Sequence, residues 1–318
     1  MRKHRNATTA RSAPLPLRLR LPATSANLGA GFDAAACALE LWLEIEARAA
    51  RRPSLLVRGR DRARCASPQH NLLLETYFDV LAEVNAPKVP LALRVRNEIP
   101  IGKGCGSSAA ARLAGILLAV HFGGLGWRAE EIVAEAARRE GHGDNVAACW
   151  QGGFAVAAPA GDGEPRWTFA GAAPSWPLLL AVPREPLATE VARALLPASY
   201  ARSDAVGNVQ AAMLLAAAFL QDRREYLEAG MRDCLHEPYR RERCPLLAAL
   251  KPLAGGQPIA GVSLSGAGPA VLLVPARGRA AAARRQAAAT LRAAGLRAEL
   301  IETRLAARGA RHSWRGRS

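Results

Sequence analysis

A glycine-rich stretch in the first half of the chain carries the residues best suited to chemistry. It runs from Glu98 to Ala110 with the sequence EIPIGKGCGSSAA. Glycines at 102, 104 and 106 let the backbone approach a ligand closely and adopt positive φ angles. Two serines follow at the start of an unbroken run of helix formers, where free N–H groups carry a partial positive charge. The stretch therefore predicts an anion site, best matched to a phosphate chain.

Two familiar nucleotide motifs do not describe this stretch. It is not a P-loop, because no Lys-Ser or Lys-Thr pair follows the last glycine. It is not a dinucleotide fingerprint, because the third glycine is missing at the required offset. A plain glycine-rich turn with a serine helix cap is a common alternative. The residues by themselves leave the turn and the phosphate site open.

Four segments together resemble one family of small-molecule kinases. The stretch above is similar to the second signature of the galactokinase, homoserine kinase and mevalonate kinase (GHMP) superfamily, with Cys105 in place of the usual leucine. Residues 22–33 (PATSANLGAGFD) resemble the first homoserine kinase signature, and residues 261–270 (GVSLSGAGPA) the third superfamily signature. Residues 141–147 (GHGDNVA) resemble a further homoserine kinase segment, with Gly143 replacing a proline. These matches occur in order over most of the chain.

The resemblance implies a two-domain α+β fold with ATP bound at the glycine-rich stretch. The implied domains are an N-terminal ribosomal-protein-S5-like domain and a C-terminal ferredoxin-like domain. The implied ATP-binding residues are Asn71, Pro100, Ile101, Gly102, Lys103, Gly104, Cys105, Gly106, Ser107, Ser108, Ala109, Ala110, Ser265, Gly266 and Gly268.

The resemblance also implies a Mg²⁺ ion beside the phosphates. Ser108 and Glu140 are its expected ligands, because Mg²⁺ prefers hard oxygen donors and keeps several waters. Glu135, on the same predicted helix, is the alternative carboxylate. A solvated helix acid is a further interpretation of either glutamate.

The implied reaction is ATP-dependent phosphorylation of the hydroxyl group of L-homoserine. Residues 189–197 (TEVARALLP) and 236–240 (HEPYR) resemble two more homoserine kinase segments. Asn27 and Arg193 are assigned to the reaction centre. Asp33 and Asp144 are expected to bind the substrate ammonium, while two guanidinium groups suit its carboxylate. The full set of implied substrate residues is Asp33, His142, Asp144, Thr189, Arg193 and Arg240.

Two other functions remain open. A sister kinase of the mevalonate or sugar type would not need residues that bind both an amine and a carboxylate. A relative that lost its chemistry and binds a nucleotide or RNA would not need Ser108, Glu140 and the two arginines.

The elements that position these residues follow from hydrophobic periodicity. Strands are predicted at 17–22, 36–46 and 91–95, with a Gly/Asn/Ser turn region between the first two. Helices are predicted at 107–122 and 127–140. The second half is predicted to hold strands at 152–158, 178–182, 260–264, 270–274 and 297–301 and helices at 188–196, 204–221, 222–235 and 280–294. Without a regular βαβ repeat, two α+β domains fit better than a doubly wound sheet.

The predicted division of the chain has four parts. They are a basic tail (1–16), an ATP-binding domain (17–166), a C-terminal domain (175–305) and a second basic tail (306–318). The net charge of +16 is spread along the chain, and aromatic residues make up only 5%, so no specific nucleic-acid partner is expected. Six scattered cysteines indicate reduced thiols. We expect a cytoplasmic enzyme with no membrane segment, and the family implies a homodimer.

Overall fold

Two β-sheets, each with its own helices, form the molecule. The computed structural model describes residues 14–67, 71–159, 167–172 and 175–312. The first half contains β1 (Leu17–Asn27), β2 (Gly31–Ala49), β3 (Ser54–Gly59), α1 (Arg62–Ala66), α2 (Leu72–Glu83), β4 (Leu91–Asn97), α3 (Ser107–Gly123), α4 (Ala129–Glu140), α5 (Asp144–Gln151), β5 (Phe154–Pro159) and β6 (Trp167–Ala172). The second half contains β7 (Pro177–Val182), α6 (Thr189–Ala194), α7 (Arg202–Leu220), α8 (Leu227–Gly230), α9 (Glu237–Arg240), α10 (Pro245–Leu250), β8 (Ile259–Leu264), β9 (Val271–Pro275), α11 (Ala280–Ala293), β10 (Glu299–Arg304) and β11 (Arg311–His312).

The first sheet is built around the long strand β2. Its strand order is β11-β1-β2-β4-β3, and β5 and β6 extend from the far end of β2. In β1, Leu17, Leu19 and Leu21 face the core, as their alternation with arginine predicts. The strand continues to Asn27, through a segment predicted as a turn. Residues 21–30 are all buried, so this part of the strand shows no alternation from which it could be recognised.

Helices cover one face of this sheet. The predicted helix at 107–122 is α3, whose side chains are buried nearly all round between α2, α4 and the sheet. The predicted helix at 127–140 is α4, which buries one face. Helix α2 was not predicted. The core of the first half therefore lies around α3, and the glycine-rich stretch leads directly into it.

The second sheet has the antiparallel order β10-β7-β9-β8. The single helix predicted at 222–235 is wrong, because the chain forms a 3₁₀ turn at Arg224–Tyr226, then the short α8, and then leaves the helix. The Asp233 carboxylate accepts hydrogen bonds from the backbone N–H groups of Leu235, His236 and Glu237 at 2.6 to 3.1 Å. Aspartate side chains commonly favour such turns over helix interiors. This turn starts α9, which carries Arg240.

After β10 the chain returns to the first sheet. The Ala306 N–H donates to the Ala38 carbonyl at 2.9 Å, and the Ala310 N–H donates to the Cys149 carbonyl at 2.8 Å. Strand β11 then pairs with β1. Residues 306–312, assigned from sequence to a basic tail, thus contribute to the first sheet. The rest of that predicted tail (313–318) and residues 1–13 of the other lie outside the described residues.

We expect Gly309→Ala to destabilise the protein by about 2 kcal/mol. A Cβ atom at this position would lie 2.1 Å from the Trp150 carbonyl oxygen, so the returning segment would have to move away from α5. The measurement is the free energy of unfolding in denaturant. The control is Gly207→Ala in α7, where a Cβ meets nothing within 4 Å. It should be neutral or stabilise by up to ~1 kcal/mol. Equal stability of the two variants would contradict the packing of this segment.

Candidate active site

A cavity of about 530 Å³ lies between the two halves of the molecule. It is lined by the end of β1, the glycine-rich loop, the starts of α3 and α5, α6 and the turn after β8. The residues predicted from sequence that line it are Asn27, Asp33, Asn71, Ile101, Gly102, Gly104, Cys105, Gly106, Ser107, Ser108, Glu140, His142, Asp144, Thr189, Arg193, Arg240 and Gly266.

Six of the predicted residues do not line the cavity: Pro100, Lys103, Ala109, Ala110, Ser265 and Gly268. The Lys103 ammonium instead donates to the carbonyl of Arg184, and burial lowers its pKa. Ala109 and Ala110 are buried in α3. Ser265 acts behind the loop, where its hydroxyl contacts the Ser25 hydroxyl at 2.8 Å and the Gly104 carbonyl at 2.7 Å.

The glycine-rich loop is closely packed from behind. Gly102, Gly104 and Gly106 have φ angles of 71°, 76° and 65°. A Cβ atom on Gly104 would lie 2.0 Å from the Ser265 carbonyl oxygen, and one on Gly106 would lie 1.8 Å from Thr24 Oγ1. Burial raises the pKa of Cys105 to about 12, so this thiol stays neutral and serves packing. Only glycine fits at 104 and 106.

The first turn of α3 opens into the cavity. Its N-cap is Gly106, which provides no side-chain hydrogen bond, while Ser107 and Ser108 lie within the helix. The alternative of a serine helix cap is therefore wrong. The first N–H groups of an uncapped helix bind anions, and here they are positioned to do so.

One end of the cavity is apolar. Its lining includes Leu43, Leu55, Leu73, Val95 and Ile99. Sequence reasoning missed these residues, because an apolar side chain facing a pocket shows the same periodicity as one facing the core. Such a slot suits a flat base.

Asn71, at the same end, uses its side chain locally. Its carbonyl oxygen accepts the Leu74 N–H at 3.2 Å as the N-cap of α2, and its amide donates to the Cys65 carbonyl at 2.7 Å.

Glu140 faces the start of α3. Its Oε2 accepts hydrogen bonds from the Ser108 hydroxyl and from Arg112 Nε, both at 2.8 Å. Glu135 does not line the cavity and is bound to Arg138 and Arg139. One carboxylate and one hydroxyl thus converge at the anion site, a donor set that Mg²⁺ accepts. Within the described ranges, no group of three or more His, Cys, Asp and Glu residues could hold a metal by itself. Arg112 was not identified from sequence.

Asp33 and Arg193 bind each other across the cavity. The two guanidinium nitrogens donate to the two carboxylate oxygens at 2.9 and 3.0 Å, and this contact raises the pKa of Arg193. The Asn27 side chain accepts the Asp33 N–H at 3.0 Å and donates to the Gly266 carbonyl at 2.8 Å. Asn27 therefore holds the backbone of Asp33 against the turn after β8.

Asp144 is a fully buried carboxylate with one free oxygen. Its Oδ1 contacts the Asn145 N–H and His142 Nδ1, both at 2.6 Å. Its Oδ2 is buried without a hydrogen-bond partner among the described residues. Burial lowers the pKa of His142, but the hydrogen bond to Asp144 and the charges of Asp144, Glu140 and Asp33 outweigh it and raise that pKa. An unpaired carboxylate oxygen at this depth favours a cationic ligand.

Arg240 is a buried guanidinium without a counter-ion in the part of the chain that the structure describes. It is 1% exposed, and no carboxylate of the described chain lies within ion-pair distance. Its Nε donates to the Ala192 carbonyl and its Nη1 to His236 Nδ1, both at 3.1 Å. Burial, and then the charge of Arg193, lower the pKa of Arg240.

His236 orients Arg240. Its Nδ1 accepts from the arginine, so its Nε2 carries the proton and donates to the Gly29 carbonyl at 3.0 Å. Burial lowers the pKa of His236, which keeps the ring neutral. The sequence predicts no role for His236, although it lies in the HEPYR segment. Its spacing of four residues from Arg240 could have indicated that the two side chains share one side of a helix.

Comparisons with known proteins agree with this geometry. Residues 71–153 match the GHMP kinases N terminal domain and residues 215–293 match GHMP kinases C terminal. A homoserine kinase of Solibacter usitatus is 38% identical, covering 80% of this chain and 84% of that protein. A homoserine kinase of Synechococcus sp. is 34% identical, covering 88% and 92%.

A solved structure described as a homoserine kinase from Listeria monocytogenes is 30% identical, with a TM-score of 0.72 over 94% of this chain and 99% of that one. The predicted fold class, two α+β domains of the GHMP kinase type, is confirmed. The chain belongs to the GHMP kinase family, and within it to the homoserine kinases.

Proposed function

We propose that this protein transfers the γ-phosphoryl group of ATP to the hydroxyl group of L-homoserine, giving O-phospho-L-homoserine and ADP, a step of threonine biosynthesis. The observation that carries the proposal is the pair of opposite buried charges at one end of the cavity. Among the described residues, Asp144 Oδ2 has no hydrogen-bond partner and Arg240 has no carboxylate within ion-pair distance. A zwitterionic amino acid would bring an ammonium group to the remaining Asp144 oxygen and a carboxylate to Arg240, whereas a neutral sugar would bring neither charge.

The substrate is held by exchange of ion pairs. Asp33 and Arg193 bind each other in this structure. The bound ammonium would take Asp33 and Asp144, and the bound carboxylate would take Arg193 and Arg240. Binding would replace the Asp33–Arg193 pair by two ion pairs, one at the ligand's ammonium and one at its carboxylate. This favours only a ligand that carries both charges.

Three neighbouring residues complete the substrate pocket. Asn27 would orient the acceptor hydroxyl, because its amide is held on both sides by backbone groups. His142 and Thr189 line the same end and are proposed as substrate contacts.

The nucleotide would lie along the rest of the cavity. Its base would enter the apolar end near Asn71, and its phosphates would lie against the glycine-rich loop and the first N–H groups of α3. Phosphoryl transfer gains mainly from positioning and from stabilising charge on the phosphate oxygens. A strong general base is not required for such a reaction.

A Mg²⁺ ion is the proposed cofactor, held by Ser108 and Glu140. When bound, it would neutralise phosphate charge. We choose Glu140 over Glu135 because only Glu140 lines the cavity and reaches Ser108. The contact of Arg112 Nε with the same Glu140 oxygen, at 2.8 Å, supports a cation-binding role for this carboxylate.

We also propose a homodimer that forms through α7. The outward side of this helix carries Val206, Val209, Met213 and Leu220, which are 51 to 71% exposed. No charged residue occurs from Ala205 to Leu220. Two copies of a chain with net charge +16 repel each other least at an uncharged apolar surface. The spacing of these side chains suits a helix packed against its symmetry mate.

Helix α7 is also the one described helix long and apolar enough to cross a membrane by length and composition. Its other side, with Ala211, Leu215 and Phe219, is buried against the rest of the protein, which favours a protein partner over lipid. We propose a cytoplasmic enzyme without a specific nucleic-acid partner; its six cysteines are free thiols.

The substrate proposal is tested by ADP release with L-homoserine, mevalonate and galactose. We expect activity with homoserine, and Arg193→Ala should raise its KM by about tenfold or more while leaving the KM for ATP within about twofold. The control is Arg202→Ala, an exposed arginine at the start of α7. Turnover of mevalonate or galactose without homoserine would favour a sister kinase. Equal effects of Arg193→Ala on both KM values would remove the carboxylate role.

The metal proposal is tested with two glutamates of the same helix. Glu140→Gln should lower the rate by at least about tenfold and raise the Mg²⁺ concentration needed for half-maximal rate. Glu135→Gln should change neither quantity by more than about twofold, because this side chain faces Arg138 and Arg139. Equal Mg²⁺ dependence of the two variants would exclude Glu140 as a ligand.

The dimer is tested by sedimentation equilibrium. The wild-type protein should sediment at twice the chain mass, and Val209→Glu should give single chains, because it buries an unpaired charge in the contact. Leu56→Glu changes an apolar residue of β3 that is 48% exposed and should leave the mass unchanged. A Val209→Glu variant that remains dimeric would exclude α7 as the interface.

A further inference from the structure

We propose that Arg112 is an additional phosphate-binding residue that, in the absence of nucleotide, serves as the counter-ion of Glu140. This inference rests on the proposed function and names a group in the same site for which no role was assigned. It predicts that part of the affinity for the nucleotide phosphates is independent of metal.

The position of Arg112 places it beside the anion site. It follows Ser108 by four residues in α3, so the two side chains share one side of the helix. Both line the cavity together with Gly106 and Ser107. Arg112 therefore lies one helical turn from the proposed phosphate donors.

The hydrogen bonding of Arg112 leaves most of its donors available. Only Nε is used within the described chain, in the 2.8 Å bond to Glu140, and both terminal nitrogens are without a hydrogen-bond partner there. The side chain is 25% exposed, so it is partly desolvated, and its Nε is bound to Glu140. A guanidinium group with two free nitrogens can bind two phosphate oxygens at once.

The charge of Glu140 explains why this cation is required. Its side chain is only 11% exposed and faces the site that must receive a highly charged phosphate chain. Unpaired, it would repel those phosphates through a medium that screens poorly. Arg112 cancels that repulsion through Nε while its terminal nitrogens attract the phosphates. Cancellation of the Glu140 charge and attraction of the phosphates can be separated, because the cancellation has no effect when Glu140 is neutral.

The experiment is calorimetric binding of ADP and AMP to the full-length protein in EDTA. Arg112→Met should weaken ADP binding by about tenfold or more and AMP binding clearly less, because AMP lacks the β-phosphate. Arg112→Lys keeps the charge but loses the planar guanidinium group. Its affinity for ADP should lie between those of the wild type and Arg112→Met. Arg138→Met, which removes an arginine outside the cavity, should bind ADP as wild type does.

The double variant Arg112→Met/Glu140→Gln separates the two effects. It should still bind ADP more weakly than Glu140→Gln, because the phosphate contact is lost even when Glu140 is neutral. Equal ADP affinity of these two variants would overturn the phosphate contact, as would unchanged affinity in a folded Arg112→Met protein. A wild type inactive with homoserine would instead count against the proposed function, since this measurement involves no acceptor.

Discussion

The active site depends on how closely the glycine-rich loop approaches the backbone behind it. The loop is hydrogen bonded on both sides: the Cys105 carbonyl accepts the Thr24 N–H at 3.1 Å, and the Lys103 carbonyl accepts the Ala270 N–H at 3.2 Å. These bonds connect β1, the loop and the turn after β8. A side chain at Gly104 or Gly106 would separate them. Because the loop is held from behind, the first turn of α3 remains open at the front, where an anion can bind.

Most of the charged groups at the site are paired with one another. Asp33 binds Arg193, and Glu140 binds Arg112, so most of the charge is neutralised. Asp144 contacts His142, but its Oδ2 has no hydrogen-bond partner within the described ranges, and Arg240 has no carboxylate partner there; both side chains are deeply buried. Leaving such groups without a partner is costly. Binding of the proposed zwitterionic substrate would offset this cost and so connect the choice of substrate to the stability of the cleft.

Much of the fold could be predicted from periodicity. The alternation of leucine and arginine at the start of β1 and the long apolar run of α3 identified their elements. The end of β1, from Ala23 to Asn27, could not be identified, since a fully buried strand shows no alternation. The prediction of a helix at 222–235 failed because the segment forms only a 3₁₀ turn and the short α8, which ends at Gly230. The Asp233 carboxylate then binds the backbone N–H groups of His236 and Glu237, and hydrophobic periodicity does not show such local side-chain bonds.

The sequence by itself determined the kinds of groups that meet at the site: a glycine loop before a helix, two acids near a histidine, and two arginines in family segments. Only the tertiary structure decided how they are used. It places Glu140, but not Glu135, in the cavity beside Ser108, turns Lys103 away from the cavity, and brings Arg112 and His236 into contact with Glu140 and Arg240. The reason is physical: residue type and local spacing set which bonds a side chain can make, whereas burial and the neighbours brought by distant segments decide which of them form.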